Sequence, residues 1–185
     1  MKKTIFVALA SAFIFSCNSK PESTETTAKD SAAAEPVVEN ISYAYTPVHH
    51  QPDNWDMGDQ KNVALVLASL KAFENGKVED ALAAFADSVQ WSADGFDKKL
   101  SKEEIRKEFT DAWAKMASTK IDMDDYETVV SKDKKDNWVG LWYKQTTTYK
   151  SGKKDSLYFM DDLKIENGKI TVLDEKQRKF PSPKK

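Results

Sequence analysis

Asp161 and Asp174 are the side chains of this sequence with the clearest capacity for chemistry. They lie in two segments joined by Asn167-Gly168, a strong tight-turn signal. A two-residue loop there pairs Glu166 with Lys169, and counting back sets Asp161 opposite Asp174 on one face. The same count applied to Lys150-Ser151-Gly152-Lys153 brings Trp142 beside them. Two neighbouring carboxylates repel, and beside an indole water is scarce. One of the pair is then expected to keep its proton near neutral pH. Such a group donates a hydrogen bond to a carbonyl or an oxyanion. The competing expectation sets both acids at a solvated mouth, paired with Lys144 or Lys176.

Around the acids the candidate pocket takes Trp91, Trp113 and Trp142, all at periodic apolar positions. An aromatic wall with few polar groups suits a flat or apolar small molecule. Other chemistries find little support. No Ser-His-Asp set, glycine-rich phosphate loop or histidine cluster falls in the domain. His49-His50 precedes it, and adjacent residues rarely point at one metal, so these are read as a solvated loop with no metal site. One cysteine excludes an internal disulfide framework and a cysteine zinc site. The formal charge of −2 gives no cationic excess for nucleic acid. No cofactor is implied.

The elements that must position these side chains are readable from periodicity. Lys61 to Asn75 carries Val63, Val66, Leu67, Leu70 and Phe73 at helical spacing and stops at Asn75-Gly76. A short second helix presents Val78, Ala81, Leu82 and Phe85. Ser88 to Ser92 alternates like a half-buried strand, and Asp94-Gly95 turns the chain. Ser101 and Glu104 form a capping box that opens a third helix, with Ile105, Phe109, Ala112, Trp113 and Met116 on its apolar face. After Lys120 the pattern is β, with a bulge expected near Asp125. Strands follow over 137–149, 157–166 and 170–176. The strand register described above would leave Leu141, Tyr143, Met160 and Leu173 on the outer face. That predicts a homodimer through the sheet.

Ahead of the domain, Met1-Lys2-Lys3 is a positive n-region and Thr4 to Phe15 an apolar run. The run falls short of the ~20 residues of a spanning helix. It meets Ile14-Phe15-Ser16-Cys17, which resembles a bacterial lipoprotein signal, although Phe15 is bulkier than that pattern usually has. The resemblance implies removal of 1–16, lipidation of Cys17, with acyl chains such as palmitate anchoring it to a membrane, and a place in the cell envelope outside the cytoplasm, such as the periplasm. An ordinary secretory signal is the alternative. Residues 17–58 read as lipidated cysteine and tether, because Asn18 to Asn40 holds almost no large apolar residue. Tyr43, Tyr45, Trp55 and Met57 are candidates for docking on the domain. The domain spans 59–181, and 182–185 is a basic tail.

The stretches FENGKVEDALAAFADSVQW, LSKEEIRKEF and MDDLKIENGKI, in this element order, resemble the nuclear transport factor 2-like superfamily. The resembling branch is SnoaL-like and includes ketosteroid isomerases; the likeness covers about 60–180. It implies an α+β fold, a cone-shaped curved antiparallel sheet packed on three N-terminal helices, with a pocket at the open end. It also places the isomerase tyrosine, base and acid at Ser69, Ala93 and Asp161, of which only Asp161 matches. Ala93 accepts no proton, and Asp94 substitutes only if the strand slips. Three functions remain open. The first choice is a membrane-tethered accessory domain with a small apolar pocket. The second is an isomerase- or cyclase-type enzyme using Asp161 with Asp174 or Asp94. The third is a dimerising interaction module with a filled cone.

Overall fold

A computed structural model describes residues 42–45, 47 and 54–180. The segment read as a signal, Cys17, most of the segment read as a tether, with His49-His50, and the tail lie outside the described residues. Trp55–Met57 forms a short strand, β1, within the segment read as tether. Gly58 follows it with its N–H on Thr128 O; a Cβ there would sit 2.3 Å from Thr128 Oγ1, so the close approach needs glycine. Helix α1 (Gln60–Glu74) starts at Asp59, whose side chain accepts from Lys61 N at 2.9 Å. It buries Val63, Val66 and Ser69 and ends at Gly76, which has a φ of +73°. Helix α2 (Val78–Leu82) buries Ala81 and Leu82.

Strand β2 (Phe85–Ala93) turns through Asp94-Gly95 into β3 (Phe96–Ser101), a strand the sequence pattern did not announce. Phe96-Asp97-Lys98-Lys99 alternates too weakly, and the element is held by ladder bonds to β2. Ser101 and Glu104 close the expected capping box of α3 (Lys102–Lys115), and Ile105 on that helix is completely buried. Four long strands follow among the described residues: β4 (Met116–Ser131), β5 (Asn137–Tyr149), β6 (Lys154–Glu166) and β7 (Lys169–Lys179).

The seven strands form one curved sheet in the order β1-β4-β5-β6-β7-β2-β3, with three helices against it. The fold is α+β as expected. The sheet is mixed rather than wholly antiparallel, because β2 runs parallel to β7. The expected bulge appears between Met123 and Asp125 of β4.

Two details of register overturn the expected faces. The β5–β6 loop has three residues, not two. Tyr149 N donates to Lys153 O at 2.8 Å, and Gly152 takes a φ of +84° to allow it. That extra residue flips β6 relative to the expectation, so Leu141 lies opposite Asp161 and Trp142 opposite Met160. The Asn167-Gly168 turn does have two residues, but a bulge follows between Lys164 and Ile165, one residue offset around Thr171. Asp161 therefore faces Glu175, and Asp174 faces Asp162. The predicted outer cluster is corrected accordingly. Leu141, Tyr143 and Leu173 are buried on the inner face, and only Met160 of that set is exposed. The outer face instead carries Trp138, Trp142 and Met160 among charged residues, with the Trp142 ring lying against Gly140.

Candidate functional site

Between the helices and the inner sheet face lies a cavity of about 320 Å³. Its walls come from every layer. Val66, Leu70 and Phe73 project from α1, Phe109 and Ala112 from α3, and Phe85 and Trp91 from β2. The floor is Leu141 and Tyr143 of β5, Phe159, Asp161 and Leu163 of β6, and Leu173 and Glu175 of β7. Phe109 is the hub of the aromatic wall. Its ring centroid is 4.9 Å from Phe73, 5.8 Å from Phe85 and 6.1 Å from Trp91, all tilted or edge-on. Tyr143 stacks on Phe159 at 5.2 Å, as cross-strand partners on one face do.

Asp161 is the polar centre of this apolar space and is only 6% exposed. Its Oδ2 accepts from the Tyr143 hydroxyl at 2.8 Å, while Oδ1 is buried without a protein partner. Burial, and then the Glu175 carboxyl across the ladder, push its pKa well above the ordinary aspartate value. Burial raises Glu175 as well, and it raises the Tyr143 phenol further from ionisation. No Lys, Arg or His stands among the lining residues. The arrangement presents a carboxyl that favours its neutral form to an apolar chamber. Tyr143 occupies one oxygen, and the other is buried without a hydrogen-bond partner.

The sequence-derived candidates scatter. Asp161 and Trp91 line the cavity. Asp174 does not: it is on the outer face, where Lys176 Nζ bonds it at 2.7 Å and Asp162 at 2.8 Å. Trp142 is on the outer face for the same register reason. Trp113 stands behind the wall. Its indole N–H donates to Phe73 O at 2.9 Å, and its ring faces Gly76, where a Cβ would lie 3.6 Å away. Asp94 sits exposed in the β2–β3 turn. Ser69 donates to Ala81 O at 2.8 Å and ties α1 to α2.

Sequence reasoning missed Tyr143 and Glu175 as site residues. The alternation of β5 (Val139, Leu141, Tyr143) against Trp138, Gly140, Trp142 contains no sign of which set faces inward. A catalytic pair built on Asp161 would now have Glu175 as its second member.

Residues 66–173 match the family described as SnoaL-like domain. A comparison with the curated proteins found no match. Among solved structures the chain is similar to AusH from Aspergillus nidulans, at 15% identity and a TM-score of 0.55, covering 66% of this chain and 87% of that one. It is similar to an NTF2-like protein of unknown function from Burkholderia pseudomallei, at 20% identity and a TM-score of 0.52, covering 65% and 91%. A third likeness is to an LEH-like epoxide hydrolase from M. tuberculosis, at 12% identity and a TM-score of 0.53, covering 64% and 84%. These likenesses show a shared fold.

Proposed function

The chain belongs to the SnoaL-like domain family, and from that premise we propose that it is a binding domain for a small, mainly apolar molecule, tethered outside the cytoplasm through a lipidated Cys17. The observation that carries the reading is the cavity itself: an aromatic and aliphatic chamber of about 320 Å³ holding one deeply buried carboxyl. That volume is at the small end of ligand sites, roughly 300–1,000 Å³. Solved structures of similar fold include proteins described as an epoxide hydrolase and a putative hydroxylase, so the fold is compatible with an enzyme as well as with a binding domain. In this chain Ala93 stands where the isomerase resemblance puts a base, which favours holding a ligand over turning it over.

A neutral fluorescent probe of two to three rings, N-phenyl-1-naphthylamine, is expected to brighten on binding the protein. Ala112→Trp, which builds an indole into the chamber from α3, should weaken binding about tenfold or more. Fluorescence that is absent, or indifferent to Ala112→Trp, would remove the cavity as the binding site.

The tether is tested separately. The apolar run ending at Ile14-Phe15-Ser16-Cys17 motivates it. Mass spectrometry of a membrane fraction should find a chain that begins at Cys17 and carries acyl groups. Cys17→Ala should release the protein from the membrane, and retention of that variant would count against lipid anchoring.

A further inference from the structure

Glu175 lines the chamber from β7 and, among the described residues, has neither a hydrogen bond nor an ion pair. Its oxygens are also within reach. The unpartnered side-chain polar atoms sealed from all surface are Trp91 Nε1, Asp161 Oδ1 and Thr171 Oγ1, and the Glu175 oxygens are not among them. Register explains this opening. Ser92 with Asp174 is the last β2–β7 pair, so Glu175 stands one residue past the end of that ladder. Accessibility rises along the inner side of β7, from Ile170 at 1% through Leu173 at 7% to the half-buried Glu175. The next cation along the strand is committed elsewhere: Lys176 Nζ bonds Asp162 and Asp174 on the outer face.

On the premise that the chamber is the binding site, we propose that it takes an apolar amine in its ammonium form, the cation paired with Glu175 and the hydrocarbon body against Phe73, Phe85 and Phe109. The lining is one-sided in charge. Asp161 lies directly across the ladder from Glu175, Glu108 enters from α3 on its exposed face, and no Lys, Arg or His joins them. Carboxyls gathered around an apolar space repel one another and lose hydration, so each lacks what an ammonium supplies. The cation gives Glu175 a charge-assisted hydrogen bond, and the aromatic faces behind it favour positive charge as well. A hydroxyl offers the bond without the charge. A carboxylate ligand meets repulsion with nothing to pair it.

The pairing makes binding depend on pH. Burial raises Glu175 above the ordinary glutamate value, and the ammonium pairs with its ionised form. Affinity for the amine therefore grows as pH rises through that elevated range, while an alkyl amine, like lysine, keeps its own charge to about pH 10. The groups facing Glu175 inside the chamber are Asp161 from β6, Tyr143 from β5 and Glu108 from α3. β2 presents Trp91, and α1 presents Ser69 with apolar side chains. Asp162, Asp174 and Lys176 lie beyond the sheet, bonded to one another. None of the facing groups is a cation that competes with the ligand.

The experiment ranks three compounds of one skeleton by displacement of the naphthylamine probe: 2-aminodecalin, 2-decalol and decalin-2-carboxylate. At about pH 8 the amine should bind best, the alcohol about tenfold more weakly, and the carboxylate more weakly still. Glu175→Gln keeps the shape and removes the charge, so it should bring the amine down to the alcohol's level. Asp174→Asn removes a charge one residue away on the outer face and should leave the ranking as it is. Between about pH 5 and about pH 8 the amine should tighten on the parent protein while the alcohol holds steady. Probe binding by Glu175→Gln reports an intact chamber; if that variant does not bind the probe, the pH comparison on the parent decides. An alcohol that equals the amine, an amine indifferent to Glu175→Gln, an equal loss in Asp174→Asn, or an amine that weakens as pH rises would each overturn the inference while the cavity reading stands. So would amine binding that Ala112→Trp leaves unchanged, because the amine would then sit outside the chamber. Failure of the probe to bind the parent overturns both.

Discussion

Truncating Ile105 to alanine is expected to cost the protein about 2–5 kcal/mol of stability. Ile105 is completely buried, on the first turns of α3, where the helix meets β2, β3 and the end of α2. It belongs to the same core as Leu82, Val89, Leu100 and Ile170. Three carbons are lost, and a rigid sheet on one side limits how far the walls can close over the gap. For a domain of this size the melting temperature should drop by roughly 10 °C. The helix is otherwise held at its surface by ion pairs such as Arg106 with Glu79 and Glu103, and exposed pairs stabilise little. Chemical denaturation of the variant checks this. A loss below about 1 kcal/mol, the scale of surface substitutions, would mean that Ile105 does not seat α3 on the sheet.

The second large effect is a dependence of stability on pH that runs opposite to that of most carboxylates. Asp161 and Glu175 both hold their protons more tightly in the fold than in the unfolded chain, chiefly because they are buried. The stabilisation this represents is complete below about pH 4, where both states are protonated. It fades as pH rises through the folded values. Over that interval each group removes up to about 1.4 kcal/mol per pH unit. Surface acids such as Asp133, held down to about 2 by bonds from Ser131 and Lys135, act in the reverse sense, and only under acid conditions. Urea unfolding from pH 5 to pH 8 should therefore show a falling midpoint. Asp161→Asn keeps the shape, cannot ionise, and should flatten most of that slope, leaving the variant more stable than the parent at pH 8. Parallel pH profiles for parent and variant would mean that Asp161 is as hydrated as a surface acid.

Much of this architecture is legible in the residues alone. The Ser101–Glu104 box, Asn75-Gly76 and Asn167-Gly168 are local signals whose physics acts within four residues, and each ends or starts an element where expected. The bulge at Asp125 could be read because hydrophobic phase changes visibly across it. The site was harder. Its composition depends on parity, and parity depends on two local events that hydrophobicity does not mark. Lys150-Ser151-Gly152 closes as a three-residue loop although it is equally suited to two. The slip at Thr171 lies between Ile170 and Val172, which are apolar on both sides of the offset. Asp161 kept its place on the inner face because two errors of one residue fell on its partners. Trp142 and Asp174 did not. An acid pair in an apolar chamber was thus anticipated in kind, with Glu175 in the position assigned to Asp174.

The parallel ladder between β2 and β7 has a consequence for how the chain is made. β7 is synthesised after the other six described strands, yet it lies between β6 and β2 and supplies Ile170 and Leu173 to the core. Until it arrives, the β2–β3 hairpin and the four-strand group β1-β4-β5-β6 have no ladder joining them. Contacts so distant along the chain make folding slow, because loop closure must precede the interactions that reward it. A nascent chain of this design keeps these two groups of strands apart until β7 is synthesised. On the proposal that residues 1–16 direct export, late closure would widen the time in which export can win over folding.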